Sequence, residues 1–165
     1  MVIGYLRERG DEEMRMVSVD RLDPWMETLV RLYREAYQGL EEYADTSVED
    51  IEKYLRWLHN RTPDSFFLLL DDEEVLGFVV ADYRWREKGE PVGEIHEIVV
   101  SQKARERGVG KLLMEKAIGL FKEKGLSKAG LWVGRTNTHA YDFYRHLGFR
   151  EAGRVGIWIR MEKAL

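Results

Sequence analysis

Apolar and polar positions along the chain follow two periods. Helical spacing is clearest after Pro24, where Met26, Leu29, Val30, Tyr33 and Tyr37 fall on one stripe, with Gly39 placed as the stop. A second helix is predicted over SVEDIEKYLRWLHN. There Ser47 and Asp50 form a capping box with Asp in place of Glu or Gln, and Pro63 closes the segment. Ahead of both, MRMVSV (Met14 to Val19) reads as a short strand, and DRLDP supplies turn residues. SFFLLLDDEEVLGFVVADYRW is two apolar runs around the polar turn DDEE, the pattern of a hairpin between well-buried strands. VGEIHEIVV alternates and then turns continuously apolar at Ile98, Val99 and Val100, as a strand does on entering a core. A helix ending at Gly125, a short strand AGLWVG, a short helix in NTHAYDFYRHLGF and a final alternating strand RVGIWIRMEK complete the series. Strand, helix, strand implies a parallel pair. The expected fold is therefore α/β: one domain over residues 1–165, with a mixed, mostly antiparallel sheet, a central parallel strand pair and flanking helices.

Composition narrows the function. With 165 residues, 44% hydrophobic and 34% charged, the chain suits a single domain with a real core. A net charge of −4 and a pI near 5.7 argue against a general nucleic-acid binder. No apolar run is long enough to span a bilayer, and MVIGYLRERGDEEM lacks the layout of a signal peptide, so a soluble, cytoplasmic protein without a membrane partner is expected. Absence of cysteine removes disulfides, thiolate metal sites and cysteine nucleophiles. His96, His139 and His146 have no metal-ligand company, so no metal is expected. Two asparagines and two glutamines amid abundant Lys, Arg and Glu match a thermophile pattern.

The stretch RERGVGKLLMEKAIGLF concentrates the chemistry. Gly108 and Gly110 stand where a helix begins, although glycine is a poor helix former. A helix start exposes unpaired N–H groups and the positive end of the dipole, and glycine lets an anion approach that backbone. Arg105, Arg107 and Lys111 add positive charge, as a diphosphate favours. Two phosphate motifs are excluded: Lys111 is followed by Leu112 rather than Ser or Thr, and Leu113 stands where a dinucleotide fingerprint needs a third glycine.

Arg105-x-x-Gly108-x-Gly110 after IHEIVV, with NTHAYDFYRHLGF downstream, resembles the GCN5-related N-acetyltransferase family. The resemblance is strong over the second half; the first half matches only in element order. It implies a division into an acceptor-side half (1–90) and an acetyl-CoA-binding half (91–165). It also implies that Ile98, Val99 and Val100 pair with the pantetheine arm of acetyl-CoA, and that Arg105, Glu106, Arg107, Gly108, Val109, Gly110 and Lys111 cradle its diphosphate. Asn137, Ala140, Phe143, Tyr144, Gly148 and Phe149 fall at the family's second motif, where the asparagine contacts the cofactor and the tyrosine lies beside its sulfur. Tyr144 is then the expected general acid. For the base, Glu94 ranks first and Glu97 second. Simple alternation puts Glu94 and His96 on one face of the strand and Glu97 on the other, unless a bulge intervenes.

The expected reaction is acetyl transfer from acetyl-CoA to a small-molecule or peptide amine by direct attack. The alternatives are an acyl-CoA-binding module without turnover and a transferase for a longer acyl group. Glu41, Glu42 and Asp45, with Tyr37 and Tyr43, are expected to favour a cationic amine. The last strand, with Ile157, Ile159 and Met161 on one face and Trp158 on the other, suggests a homodimer interface.

Overall fold

The structure is a computed structural model that describes residues 2–9 and 12–165, with side chains described from Met14 onward. Eight strands form one sheet: β1 (Val2–Arg9), β2 (Glu12–Ser18), β3 (Phe66–Asp71), β4 (Glu74–Glu87), β5 (Glu90–Val100), β6 (Lys128–Gly134), β7 (Arg150–Val155) and β8 (Trp158–Ala164). Their order is β1-β2-β3-β4-β5-β6-β8-β7, and every neighbouring pair is antiparallel except β5 with β6. Four helices flank it: α1 (Met26–Ala36), α2 (Val48–Arg61), α3 (Val109–Glu123) and α4 (Thr138–His146). The mixed sheet with one parallel pair is the architecture expected from the chain's patterning.

Two cores lie on opposite faces of the sheet. In β3, Phe66, Leu68 and Leu70 point toward Leu29 and Tyr33 of α1 and Leu55 of α2, while Phe67 and Leu69 point toward Leu113, Ala117 and Phe121 of α3. Both faces of the central strands are thus buried, which is why their sequences are continuously apolar. Pro24 opens a short 3-10 turn, Asp23–Trp25, and α1 follows from Met26. Ser47 caps α2, its side chain accepting from the Asp50 N–H at 3.1 Å.

Two strands were not expected. β1 pairs with β2 through its backbone. The single final strand is in fact β7 and β8, joined at Gly156 with φ +58. All six β7 residues are exposed, so no apolar alternation marks it. Ile159 and Met161 are core residues and do not contribute to a dimer face, whereas Ile157, in the turn, is exposed.

Two departures from regular pairing shape the centre of the molecule. Val80 pairs with Glu97 and Ala81 with Ile95, so β5 carries an extra residue, His96. Glu94, opposite Asp82, and Glu97, opposite Val80, are therefore two ladder steps apart and share a face. The bulge overturns simple alternation. Further along, β5 and β6 pair only through Gly93 with Ala129 and Glu94 with Gly130, and then part.

Candidate active site

Beyond Glu94, β5 keeps its β4 partners while its other edge faces a gap rather than β6. Ile98, Val99 and Val100 lie along this stretch; Val99 is buried in the α1/α2 core, and its neighbours are half-buried. Strand amides on such an edge are unpaired and available to an extended ligand.

The gap runs toward the start of α3. Gly108 caps that helix at φ +74, in the left-handed region that a side chain would strain. No side chain caps α3, and no acidic residue lies in its first turn, so its N–H groups and positive dipole end are open to an anion. A Cβ on Gly110 would come within 3.0 Å of Phe143 Cζ and 3.5 Å of Val100 Cγ2. Gly110 thus lets β5, α3 and α4 converge. Arg105, Glu106 and Lys111 are exposed around the turn, Val109 is buried in the core, and Arg107 reaches Asp71 at 3.0 Å.

On the α1/α2 face lies a cleft of about 530 Å³. Its walls are Tyr33, Tyr37, Tyr43 and Tyr54, with Trp132 and Trp158 and the carboxylates of Asp45, Glu94 and Glu97. Residues from both halves of the chain build it. The Glu97 carboxylate accepts from the hydroxyls of Tyr37 at 2.8 Å and Tyr54 at 2.9 Å. Burial pushes its pKa up to about 7, against the lowering effect of those two hydrogen bonds. Glu94 is differently engaged: it accepts from Arg160 Nη1 at 2.7 Å and Nη2 at 2.8 Å, with both side chains buried. Burial raises the Glu94 pKa, and the guanidinium opposes that rise with two charge-assisted bonds. His96 is held by protein groups, Nε2 lying 2.9 Å from Asp82, which also accepts from Arg61 at 2.8 Å.

Tyr144 sits in the α3/α4 core between Phe143 and Phe149. Burial, and then the charge of Glu97, drive its pKa well above the ordinary phenol range, so it stays protonated. Among the described residues its hydroxyl has no hydrogen-bond partner. Asn137 caps α4, Oδ1 accepting from the Ala140 N–H at 3.3 Å, which fixes the position of the helix that carries Tyr144.

Residues 26–149 match the model of the Acetyltransferase (GNAT) family. The chain belongs to this family. As a GNAT protein it is an acyltransferase, and its relatives share both sequence and fold. An uncharacterised N-acetyltransferase of Archaeoglobus fulgidus is 40% identical over 148 residues, spanning 87% of this chain and 98% of the relative. A Pyrococcus horikoshii OT3 protein of known crystal structure superposes with a TM-score of 0.84 at 33% identity, covering 93% of this chain and 99% of that one. The PaiA N-acetyltransferase of Thermoplasma acidophilum, solved in complex with coenzyme A, has the same fold at a TM-score of 0.75 and 22% identity, over 92% and 99% of the two chains.

Several site residues of this GNAT chain escaped sequence reading. In the sequence Tyr33 stands only as part of a core stripe. Tyr54 lies beside the α2 core residues Ile51, Leu55 and Leu58, where it reads as one more buried aromatic. Arg160 left a signal: one arginine between Ile159 and Met161, on the strand face of Trp158. Of the acidic run, Asp45 lines the cleft; Glu41 accepts from the Gly39 N–H, and Glu42 accepts from Thr136. A second depression, against α1 and the start of α2, contains none of the site residues. Among the described residues, no helix is long and apolar enough to cross a membrane.

Proposed function

We propose that the protein transfers an acetyl group from acetyl-CoA to a primary amine by direct attack, with Glu97 as base and Tyr144 as acid. The observation that carries this reading is Glu97, a buried carboxyl with a pKa near 7 on the wall of a cleft beside the β5/β6 gap. A lysine-like amine, with a pKa of about 10.4, is almost wholly protonated at neutral pH and must lose a proton before it attacks. A base poised near the working pH is suited to take it. Glu94, ranked first from sequence, is ion-paired to Arg160, whereas Glu97 is held only by neutral phenols, so Glu94 is better suited to anchoring the sheet. Tyr144, kept protonated by burial, is suited to donate to a sulfur as it gains charge.

Acetyl-CoA supplies the acyl group as a thioester. The chain's residues fit it: the free edge at Ile98, Val99 and Val100 suits its arm, and the open N–H groups from Gly108 to Lys111, with Arg105 and Lys111, suit its diphosphate. Arg107 and Glu106 flank the turn, Val109 offers only its backbone, and Asn137 with Ala140 sets the start of α4. The coenzyme A complex of the Thermoplasma acidophilum relative supports this use of the fold. An acyl donor of central metabolism favours action in the cytoplasm, and the amide-poor composition favours a thermophilic source.

The test is thiol release from acetyl-CoA with a panel of amines, comparing wild type, Glu97→Gln and Tyr144→Phe. We expect turnover in the wild type. Glu97→Gln is expected to lower kcat by about 10²- to 10³-fold and to lose the limb of the kcat/KM profile near pH 7. Tyr144→Phe is expected to lower kcat roughly tenfold or more while acetyl-CoA still binds. Saturable acetyl-CoA binding without turnover of any amine would make the protein a binding module. Turnover only with longer acyl donors would make it a different acyltransferase.

A further inference from the structure

We propose that the acceptor is a primary amine on an apolar body, an arylalkyl or alkyl amine, and that the cleft rejects amines flanked by a carboxylate or by several hydroxyls. The inference rests on the transfer reading above and deepens it.

The argument begins with how the cleft's own polar groups are spent. Tyr37 and Tyr54 donate to Glu97, the Tyr33 hydroxyl accepts from the Asp45 N–H at 3.2 Å, and Tyr43 shares a 2.7 Å hydrogen bond with Thr136 Oγ1 while accepting from its N–H at 2.9 Å. Three of the four phenols are engaged by side chains or backbone of the protein and the fourth, Tyr33, accepts from backbone and keeps one proton to donate, so what they offer a ligand is chiefly ring carbon. Trp132 and Trp158 also line the cleft, with the Trp158 ring 5.3 Å from that of Tyr43. A polyol bound here would be dehydrated with few partners for its hydroxyls, whereas a ring or an alkyl chain loses nothing by leaving water.

Charge decides the second half. Among the described residues lining the cleft there is no lysine or arginine; both terminal nitrogens of Arg160 are held by Glu94, and His96 Nε2 is held by Asp82. A carboxylate or phosphate on the acceptor would enter beside Asp45 and Glu97 with no cation to meet it. An ammonium meets the opposite: the exposed Asp45 carboxylate, which draws cations, and aromatic faces that hold them. The volume of about 530 Å³ is within the range of small-molecule sites.

Matched pairs test this directly. Initial rates are measured with phenethylamine against phenylalanine, which adds a carboxylate to the same body, and with cyclohexylamine against glucosamine, which adds hydroxyls. In parallel, calorimetry measures binding of the same amines to CoA-loaded Glu97→Gln protein. The expected result is at least a tenfold higher kcat/KM for the apolar member of each pair, and an Asp45→Asn variant that raises the KM for phenethylamine more than it lowers kcat. Equal or better use of phenylalanine, of glucosamine or of a short peptide amine overturns the substrate class while leaving acetyl transfer intact. If no amine is acetylated, calorimetry separates the two ideas. Binding of phenethylamine without phenylalanine upholds the class and removes the transfer reading, and binding without preference, or none, removes the class.

Discussion

Glu94 and Glu97 face the same cleft and burial raises both pKa values, but Glu94 is met by a guanidinium and Glu97 only by neutral phenols. The folded-state pKa of Glu97, about 7, lies above the ordinary carboxyl value of 4.5. A raised pKa means that the fold prefers the protonated form, so this stability is full below about pH 4.5 and is lost as pH rises through 7. By pH 8 the ionised group costs on the order of 3 kcal/mol. Glu97→Gln, which carries no charge, is expected to melt above the wild type at pH 8 and close to it at pH 5, as thermal unfolding at the two values will show. Glu94→Ala should destabilise instead, through its partner. It removes both close hydrogen bonds of the buried Arg160 guanidinium and leaves it only the longer contacts to Glu162 at 3.6 Å and Glu87 at 4.0 Å, a loss of about 3 kcal/mol readable from urea unfolding. Both glutamates were visible in the sequence as candidates. Their relative placement was not, because no glycine or proline marks the bulge at His96, and one extra residue reverses every face assigned by counting beyond it.

At the scale of elements, local chemistry was legible and edge structure was not. The glycine turn, the cap at Ser47, and the hairpin of β3 and β4 each depend on neighbouring residues and could be placed from a few letters, whereas the cap at Asn137 was found only in the structure. β7 presents no apolar face to the core, so nothing in its pattern distinguishes it from a loop. The cleft, too, was only partly foreseen: Tyr37 and Asp45 were named from the acidic run, but Tyr54, Trp132 and Trp158 come from three separate elements that only the folded chain brings together. The turn itself offers a two-part prediction. Gly108→Ala forces a side chain into the left-handed region and should lower stability by about 1–2 kcal/mol in denaturant unfolding. Gly110→Val presses on Phe143 and Val100, and should raise the KM for acetyl-CoA severalfold with a smaller effect on the KM of the amine.

Over the whole molecule, the sheet separates two cores that meet different needs. The α1/α2 side supplies the tyrosines that hold Glu97, and the α3/α4 side supplies the glycine turn and Tyr144. The sheet between them helps set their distance, which makes the point where β5 and β6 part the geometric centre of the proposed chemistry. Gly130 marks how closely that point is fitted: a Cβ there would overlap the Arg160 guanidinium. Gly130→Ala is therefore expected to displace Arg160 from Glu94 and to lower both stability and kcat.

If acetyl-CoA binds as proposed, the parted strands make the protein an unfinished sheet whose last partner comes from solution. A ligand that lies along residues 95–100 takes the place of a strand, and whatever binds only the folded form stabilises it by mass action. At a free concentration one hundred times its Kd, that stabilisation is about 2.7 kcal/mol. The melting temperature should then climb with the logarithm of acetyl-CoA concentration, and amide exchange along residues 95–100 should slow in step. The durability of the enzyme becomes a reading of how well supplied its surroundings are with acyl donor.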